Sequence, residues 1–466
     1  MADAAASPPD PAAVLRSKQF LALLVLASLV GVVVSIAAWA FLELVFYIQE
    51  WVFTDIPKDV GYDSTPLWWY PPVLALAGLL AALAIVRLPG RGGHIPAGGL
   101  STEPTQPIEV PGVILAALAS IGLGLVVGPE APLIAMGGGM GIFAARQLRK
   151  DAPGEVSALL GAAAAIAALA FLFGSPIIAA VILIEATGLG GPRLPLVLVP
   201  GLLASGIGSL TWIGLGSLTG LSTSDISLNP LELPSFPQPD VADFGWTILL
   251  AAAVAVITFA IFRLAGETQR IATRRPFLLL PAIGLAVSGL AIAFSEAADK
   301  SASDVLFSGQ EAIGPLVADP SAWSLSALAL LVAFKGLAYG LSLGSFRGGP
   351  VFPAMFLGAA GGLMAAKLPG FSVTPAVAVG IGAAVVSVLR LPLAATVLAV
   401  LLTAGAGAGA GPLIIVGVVV AYLITLALSA RQAPETRGAE GERPAAAAEP
   451  APPSVPSGSP SPDVSG

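Results

Sequence analysis

Glu130 stands in the phrase GPEAPLIAMG (residues 128–137), and the same frame, G-P-x-x-P-x-x-x-x-G, returns 221 residues later as GPVFPAMFLG (349–358). A proline in the first turn of a helix costs little, because the amide it lacks would have no intrahelical partner there. Glycines just upstream let the backbone bend and come close to a ligand. Each phrase therefore predicts a helix that starts abruptly inside an apolar stretch, at about Pro132 and Pro353. Such a start presents free N–H groups and the positive end of the helix dipole. Two of them facing one another make a site for a small anion without a full positive charge. A site of that kind can also release what it binds, which a buried lysine would resist. Glu130 adds a carboxylate at the N-terminus of the 132–145 helix, where it can compete with an anion for the same N–H groups. Its bland reading is a structural helix cap.

Other chemistries are excluded or poorly supported. The chain has no cysteine and one histidine, His94, so thiolate chemistry and any site needing two imidazoles are absent. No P-loop or metal-ligand cluster is present, and His94 has no G-x-S-x-G serine to serve, which argues against an intramembrane serine protease. The sequence thus points to binding rather than bond-making, with no enzyme activity, cofactor, metal or nucleic-acid partner expected. Four further ionisable residues fall in apolar surroundings, where burial is expensive. Lys335 and Arg347 flank the second phrase, and each reads either as an attractor of anions or as the partner of a carboxylate. Glu185 and Arg390 occupy corresponding places in the two halves and read as a structural ion pair or as interfacial residues.

The elements that must position these groups are membrane helices. Hydrophobic residues make up 56% of the 466 and charged residues 11%, against about 25% charged in a soluble domain; lipid must be the solvent. Stretches of about 20 apolar residues can cross a bilayer as straight helices. They fall at 20–48, 70–87, 110–127, 156–172, 194–216, 245–266, 276–295, 323–343, 375–403 and 412–429, with shorter pieces at 132–145, 176–187 and 351–366. Broken helices survive in a membrane only where protein or a watery cavity satisfies their backbone. A second pair of proline-started pieces, GSPIIAAVILIEATG at Pro176 and RLPLAATVLAVLL at Pro392, is offset by 216 residues, so the chain reads as an internal repeat. Paired broken helices in two halves place a binding site near the midplane. The organisation expected is a polar segment 1–19 that is no signal peptide, a membrane domain 20–430 with halves of about 20–216 and 242–430, and a disordered Pro/Ala/Ser-rich tail 431–466 with no regulatory domain. Basic residues at Arg16, Lys18, Arg87, Arg91, Arg146, Arg149, Lys150, Arg431 and Arg437, against acids at Glu50, Asp55, Asp59 and Asp63, place both termini in the cytoplasm.

On these phrases the chain resembles the CLC family of chloride channels and chloride/proton exchangers, as a divergent bacterial-type member. GPEAPLIAMGGGMG (128–141) is similar to that family's G-R-E-G-P-x-V-Q-I-G-G, whose glutamate is the external gate. KGLAYGLSLGSFRGGPVFPAMFLGAAGG (335–362) is similar to its second-half segment ending G-G-x-F-x-P, and GGHIP (92–96) stands where the family has G-S-G-I-P. The resemblance runs from about residue 20 to 430. It implies an all-α polytopic fold of two inverted repeats of tilted and broken helices, a homodimer with one pathway per subunit in the plasma membrane, and chloride or a similar small anion as cargo. It implies gating by Glu130 and anion binding by Gly93, His94, Ile95, Glu130, Ala131, Pro350, Val351, Phe352 and Tyr422. Ala- and Gly-rich spans at 156–172 and 375–403 would also permit close packing between subunits.

The chain departs from the family at informative places. Gly93 replaces the family's serine, so a hydroxyl ligand is missing; the adjacent His94 either substitutes for it or makes a local contact. Pro129 replaces the arginine before the gate. The amide-donating position of the third motif falls on Pro350 without a gap, or on Val351 and Phe352 with a one-residue deletion. The inner glutamate of proton-coupled relatives aligns with Ala186, and Glu185 is one step earlier, about 100° around the helix. The expected function is a channel-like or weakly coupled anion pathway. The alternative is a proton-coupled anion exchanger with a non-standard inner relay, for which protons are a second cargo.

Overall fold

The computed structural model describes residues 15–101, 103–148, 154–188, 191, 194–219 and 228–431. The first fourteen residues, Arg149, Lys150, Arg437 and the tail from residue 432 lie outside the described residues. Among the described residues the regular elements are helices, and seven helical stretches are long and apolar enough to cross a membrane. The chain is a multi-pass membrane protein.

The first half runs through α1 (Lys18–Glu50), α2 (Tyr70–Arg87), α3 (Val110–Ala117), α4 (Glu130–Leu148), α5 (Gly154–Leu172), α6 (Pro176–Thr187) and α7 (Leu194–Thr219). The second half continues with α8 (Val241–Ala272), α9 (Pro276–Ala298), α10 (Ile313–Ala318), α11 (Leu325–Ser345), α12 (Val351–Ala366), α13 (Val373–Leu389), α14 (Pro392–Leu402) and α15 (Ala410–Ala430). The last turn of α15 from Ala427 and Arg431 belong to a second unit, apart from the one that ends at Leu426.

Three helix boundaries differ from the sequence expectations, each for a local reason. The stretch 110–127 is not one span: α3 gives way to a wide π turn at Leu118–Gly122, and the chain then runs irregularly to Gly128. Gly124, at φ 90°, makes the break, and the freed Val126 amide donates to Ser342 Oγ at 3.3 Å. The stretch 375–403 is two helices, because Arg390 turns left-handed at φ 57° and Pro392 cannot continue α13. The piece placed at 132–145 is instead a 19-residue helix that begins at Glu130 itself.

The two halves are related by a local twofold that can be followed bond by bond. Gly128 and Gly349 exchange both backbone hydrogen bonds, at 2.7 and 2.5 Å, as an isolated antiparallel bridge. Around it, Val126 N donates to Ser342 Oγ while Arg347 N donates to Ser120 Oγ at 3.2 Å, so each half lends the other one serine hydroxyl. Helix packing repeats in the same register. A side chain at Gly137 or Gly141 of α4 would overlap the carbonyls of Ala164 or Leu160 on α5; one at Gly358 or Gly362 of α12 would overlap those of Gly380 or Ala376 on α13. The glycines are 221 residues apart and the carbonyls 216, the two offsets of the sequence repeat. Close backbone contact through small residues is how helices associate without a hydrophobic drive.

Candidate functional site

The twofold brings the start of α4 against the start of α12. Glu130 is the first residue of α4 and is fully buried. Its carboxylate faces its own amide at the start of α4 and also reaches across to the other repeat, where Phe352 N donates to Oε1 at 2.7 Å. The amide of Val351 also faces it. The reason is geometric: the inverted repeat sets the free N–H groups of α12 opposite Glu130, and Pro353, in the third position, has none to offer. Both bridging glycines make room, since a Cβ on Gly128 or Gly349 would collide with the carboxylate. The second oxygen, Oε2, is buried without a hydrogen-bond partner among the described residues, an arrangement that a purely structural cap would avoid.

The start of α12 is itself held in place. Pro350 supplies no amide; its carbonyl accepts from the hydroxyl of Tyr339, a fully buried side chain on α11. In a trans peptide the N–H points opposite to the C=O, so fixing the Pro350 carbonyl towards Tyr339 aims the Val351 amide towards Glu130. Phe352 stacks on Phe173 with ring centroids 5.8 Å apart. One turn N-terminal to Tyr339, buried Lys335 donates to the carbonyls of Asp304 (3.0 Å) and Leu306 (2.7 Å), more weakly to those of Val305 and Phe307, and lies over the Phe356 ring. Arg347 is likewise buried and bonded to carbonyls, with Nε donating to Arg91 O and Nη1 to Phe346 O, each at 3.2 Å. Among the described residues neither cation forms a carboxylate ion pair.

Two clefts open into the first half, and one of them reaches Ala131, next to Glu130. The first, about 260 Å³, is lined by Gly93, His94, Glu103, Glu109, Ala131 and Gly348, among others. Its wall is shaped by a run of left-handed residues from Gly90 to Gly93, at φ of 74°, 49°, 73° and 89°. The second, about 1160 Å³, is lined by Glu50, Lys58, Asp63, Tyr70, Asp304 and Phe307, among others. Phe307 N donates to Gly124 O at 3.0 Å, which ties this cleft to the segment leading into Glu130. Tyr70 begins α2, and Gly90 follows its end closely. The clefts therefore lie at opposite ends of an 18-residue helix, about 27 Å long.

Of the residues singled out from the sequence, Glu130, Pro350, Val351 and Phe352 meet at the twofold, and Gly93, His94 and Ala131 line the adjoining cleft. Ile95 caps the turn Pro96–Gly98 and does not line that cleft. Tyr422 lies half-buried on α15, lining neither cleft and making no hydrogen bond to the Glu130 group. Glu185 accepts from Leu393 N (2.9 Å) and Ala394 N (2.7 Å), so it caps α14 of the opposite repeat. Tyr339, Ser120, Ser342, Gly348 and Glu103 were missed. Tyr339 alone had a trace in the sequence: it follows Lys335 by four residues, on the same face of α11.

These features define a polytopic membrane protein of two inverted repeats with a carboxylate buried at their junction. Residues 96–426 match the profile of the family described as voltage gated chloride channel, and the chain belongs to that family. The chain is 27% identical over 360 residues to the YfeO protein of Escherichia coli O7:K1 (strain IAI39), named for ion transport, covering 75% of this chain and 80% of that protein. YfeO of Salmonella schwarzengrund (strain CVM19633) is 27% identical over 366 residues, covering 75% and 81%. Among solved structures, a slow cyanobacterial Cl−/H+ antiporter matches with a TM-score of 0.70 at 20% identity, covering 87% of this chain and 94% of the other. A CLC-type fluoride/proton antiporter matches at 0.63 and 16%, covering 87% and 96%. At these identities the structural matches speak for the fold.

Proposed function

We propose that this protein moves small inorganic anions, chloride first among them, across the plasma membrane, with both termini in the cytoplasm, and that Glu130 is the gate. The observation that carries the reading is the Glu130 carboxylate held on the N-terminal amide of α12 at 2.7 Å, with its second oxygen unpartnered. An ionised carboxylate and a transported anion want the same N–H groups, so one displaces the other. On this reading the clefts at the two ends of α2 are the two approaches, and the fully buried Glu130 acts as the barrier between them. Anion coordination then falls to the amides of Val351 and Phe352, with Gly93, His94 and Ala131 on the approach. Ile95, Pro350 and Tyr422 belong to the same proposal as positions carried over from the family motifs. Each subunit of a homodimer carries its own pathway.

The test is anion flux from purified protein in liposomes. Lowering the pH protonates Glu130, which frees the α12 amides, so wild-type chloride flux is expected to rise on acidification. Glu130→Gln keeps the shape without the charge and is expected to conduct with little pH dependence and to lose any proton movement driven by chloride. A mutant that keeps the full wild-type pH response places the gate elsewhere. The reversal potential across a pH gradient separates the two modes: a shift marks a proton-coupled exchanger, and its absence a passive pathway. The proton-coupled reading is favoured by the solved Cl−/H+ and fluoride/proton antiporters that share this fold.

A further inference from the structure

The first cleft has a charge problem for an anion. Among the described residues its ionisable lining is His94, Glu103 and Glu109, with no lysine or arginine, and Ala131 brings it next to Glu130. Helix termini alone, worth about half a charge each, would face three carboxylates. Arg347 stands directly behind this wall. Its side chain abuts Gly92, and the next residue, Gly348, lines the cleft. Arg347 and Glu103 both lie within electrostatic reach of His94. Arg347 is 7% exposed, its guanidinium is held by the carbonyls of Arg91 and Phe346, and its Nη2 donates to no acceptor among the described residues. A guanidinium stays charged at any working pH, and a buried charge is screened much less by salt than an exposed one.

Building on the anion-pathway reading, we infer that Arg347 is the fixed positive charge that sets anion loading from the cleft lined by Gly93 and His94. It offsets the wall carboxylates without lining the path, so it attracts a small monovalent anion and does not trap it. Its carbonyl-only bonding explains why a cation is kept here: a carboxylate partner would cancel the field, whereas two backbone oxygens hold the group and leave its charge available. The role is one of specificity and positioning, acting through the field at the mouth of the site.

The probe is chloride, titrated in liposome flux at low ionic strength for wild type, Arg347→Met, Arg347→Lys and Glu103→Gln. Removing the charge is expected to raise the half-saturating chloride concentration about tenfold, while Arg347→Lys stays within about threefold of wild type, because the charge is retained. Glu103→Gln, on the exposed wall, is expected to lower it about twofold. A purely structural arginine would reduce maximal flux in Arg347→Met and leave half-saturation unchanged, which overturns the inference. Should Arg347→Met fail to fold, Glu103→Gln still decides: an unchanged half-saturation there also overturns it. Wild-type protein that carries no anion defeats the underlying pathway reading instead.

Discussion

At the scale of single residues, the site depends on which way one peptide plane points. Tyr339 holds the Pro350 carbonyl and thereby aims the Val351 amide at Glu130. Tyr339→Phe removes one hydroxyl from a fully buried side chain. The expected stability loss is about 1 kcal/mol, the net worth of a neutral hydrogen bond. The larger consequence is functional: with the peptide free to rotate, the site loses a preorganised donor, and half-saturating chloride is expected to rise about fivefold, equivalent to about 1 kcal/mol. A chloride titration of the mutant checks this, and an unchanged half-saturation would mean that the hydroxyl serves packing alone. The place of Glu130 at a helix start was legible in the sequence because it follows from local grammar, a carboxylate between a glycine-proline step and a proline two residues on. Tyr339 was not, because a tyrosine on an apolar helix looks the same whether its hydroxyl faces a carbonyl or the lipid boundary. The choice between Pro350 and its successors also needed coordinates, since an amide's direction is a property of the folded peptide.

At the scale of elements, carboxylates from the first half cap helices of the second. Glu130 reaches α12 and Glu185 reaches α14, so each short helix receives a negative charge at its positive end from the opposite repeat. Glu185 is expected to act as a cap alone. Glu185→Ala should then cost about 1–2 kcal/mol of stability, the usual worth of a lost N-cap with some dipole contribution, visible as a lower Tm in detergent. Chloride flux and its pH response should be unchanged; an altered pH response in this mutant would make Glu185 a proton relay. The repeat made the existence of these helices legible, since proline and glycine punctuation survives in sequence. Their boundaries and partners were less so. The breaks at Gly124 and Arg390 are decided by backbone angles that hydropathy does not carry, and the Glu185 contact spans 208 residues. From sequence the pairing of Glu185 with Arg390 was an equally good account. The family motifs led to Tyr422 as well; it lies half-buried on α15 and lines neither cleft.

At the scale of the whole molecule, the surface around α6 and α14 raises the question of what covers it. These helices have 12 and 11 residues, about 18 and 17 Å, against a hydrocarbon core of about 30 Å. Neither can cross the membrane, and they pack against each other. Ile177 and Leu393, equivalent positions 216 residues apart, are both exposed, at 59% and 57%, so the crossing presents a face with the same twofold as the repeat. Beside it sits the half-buried Glu185 carboxylate, together with the ends of two short helices. A charge and irregular backbone turned to lipid would be costly, whereas a second copy of this chain would cover the apolar face and remove the carboxylate from lipid together. The expected state in mild detergent is therefore a particle of two chains, measured by light scattering or native mass spectrometry. Ile177→Trp combined with Leu393→Trp should wedge the faces apart and give a single-chain particle. Because the Glu130 site is assembled within one chain, that particle should retain chloride flux. Wild-type protein found only as a single chain would show that lipid alone covers this face, and a monomeric double mutant without flux would show that the site leans on the interface.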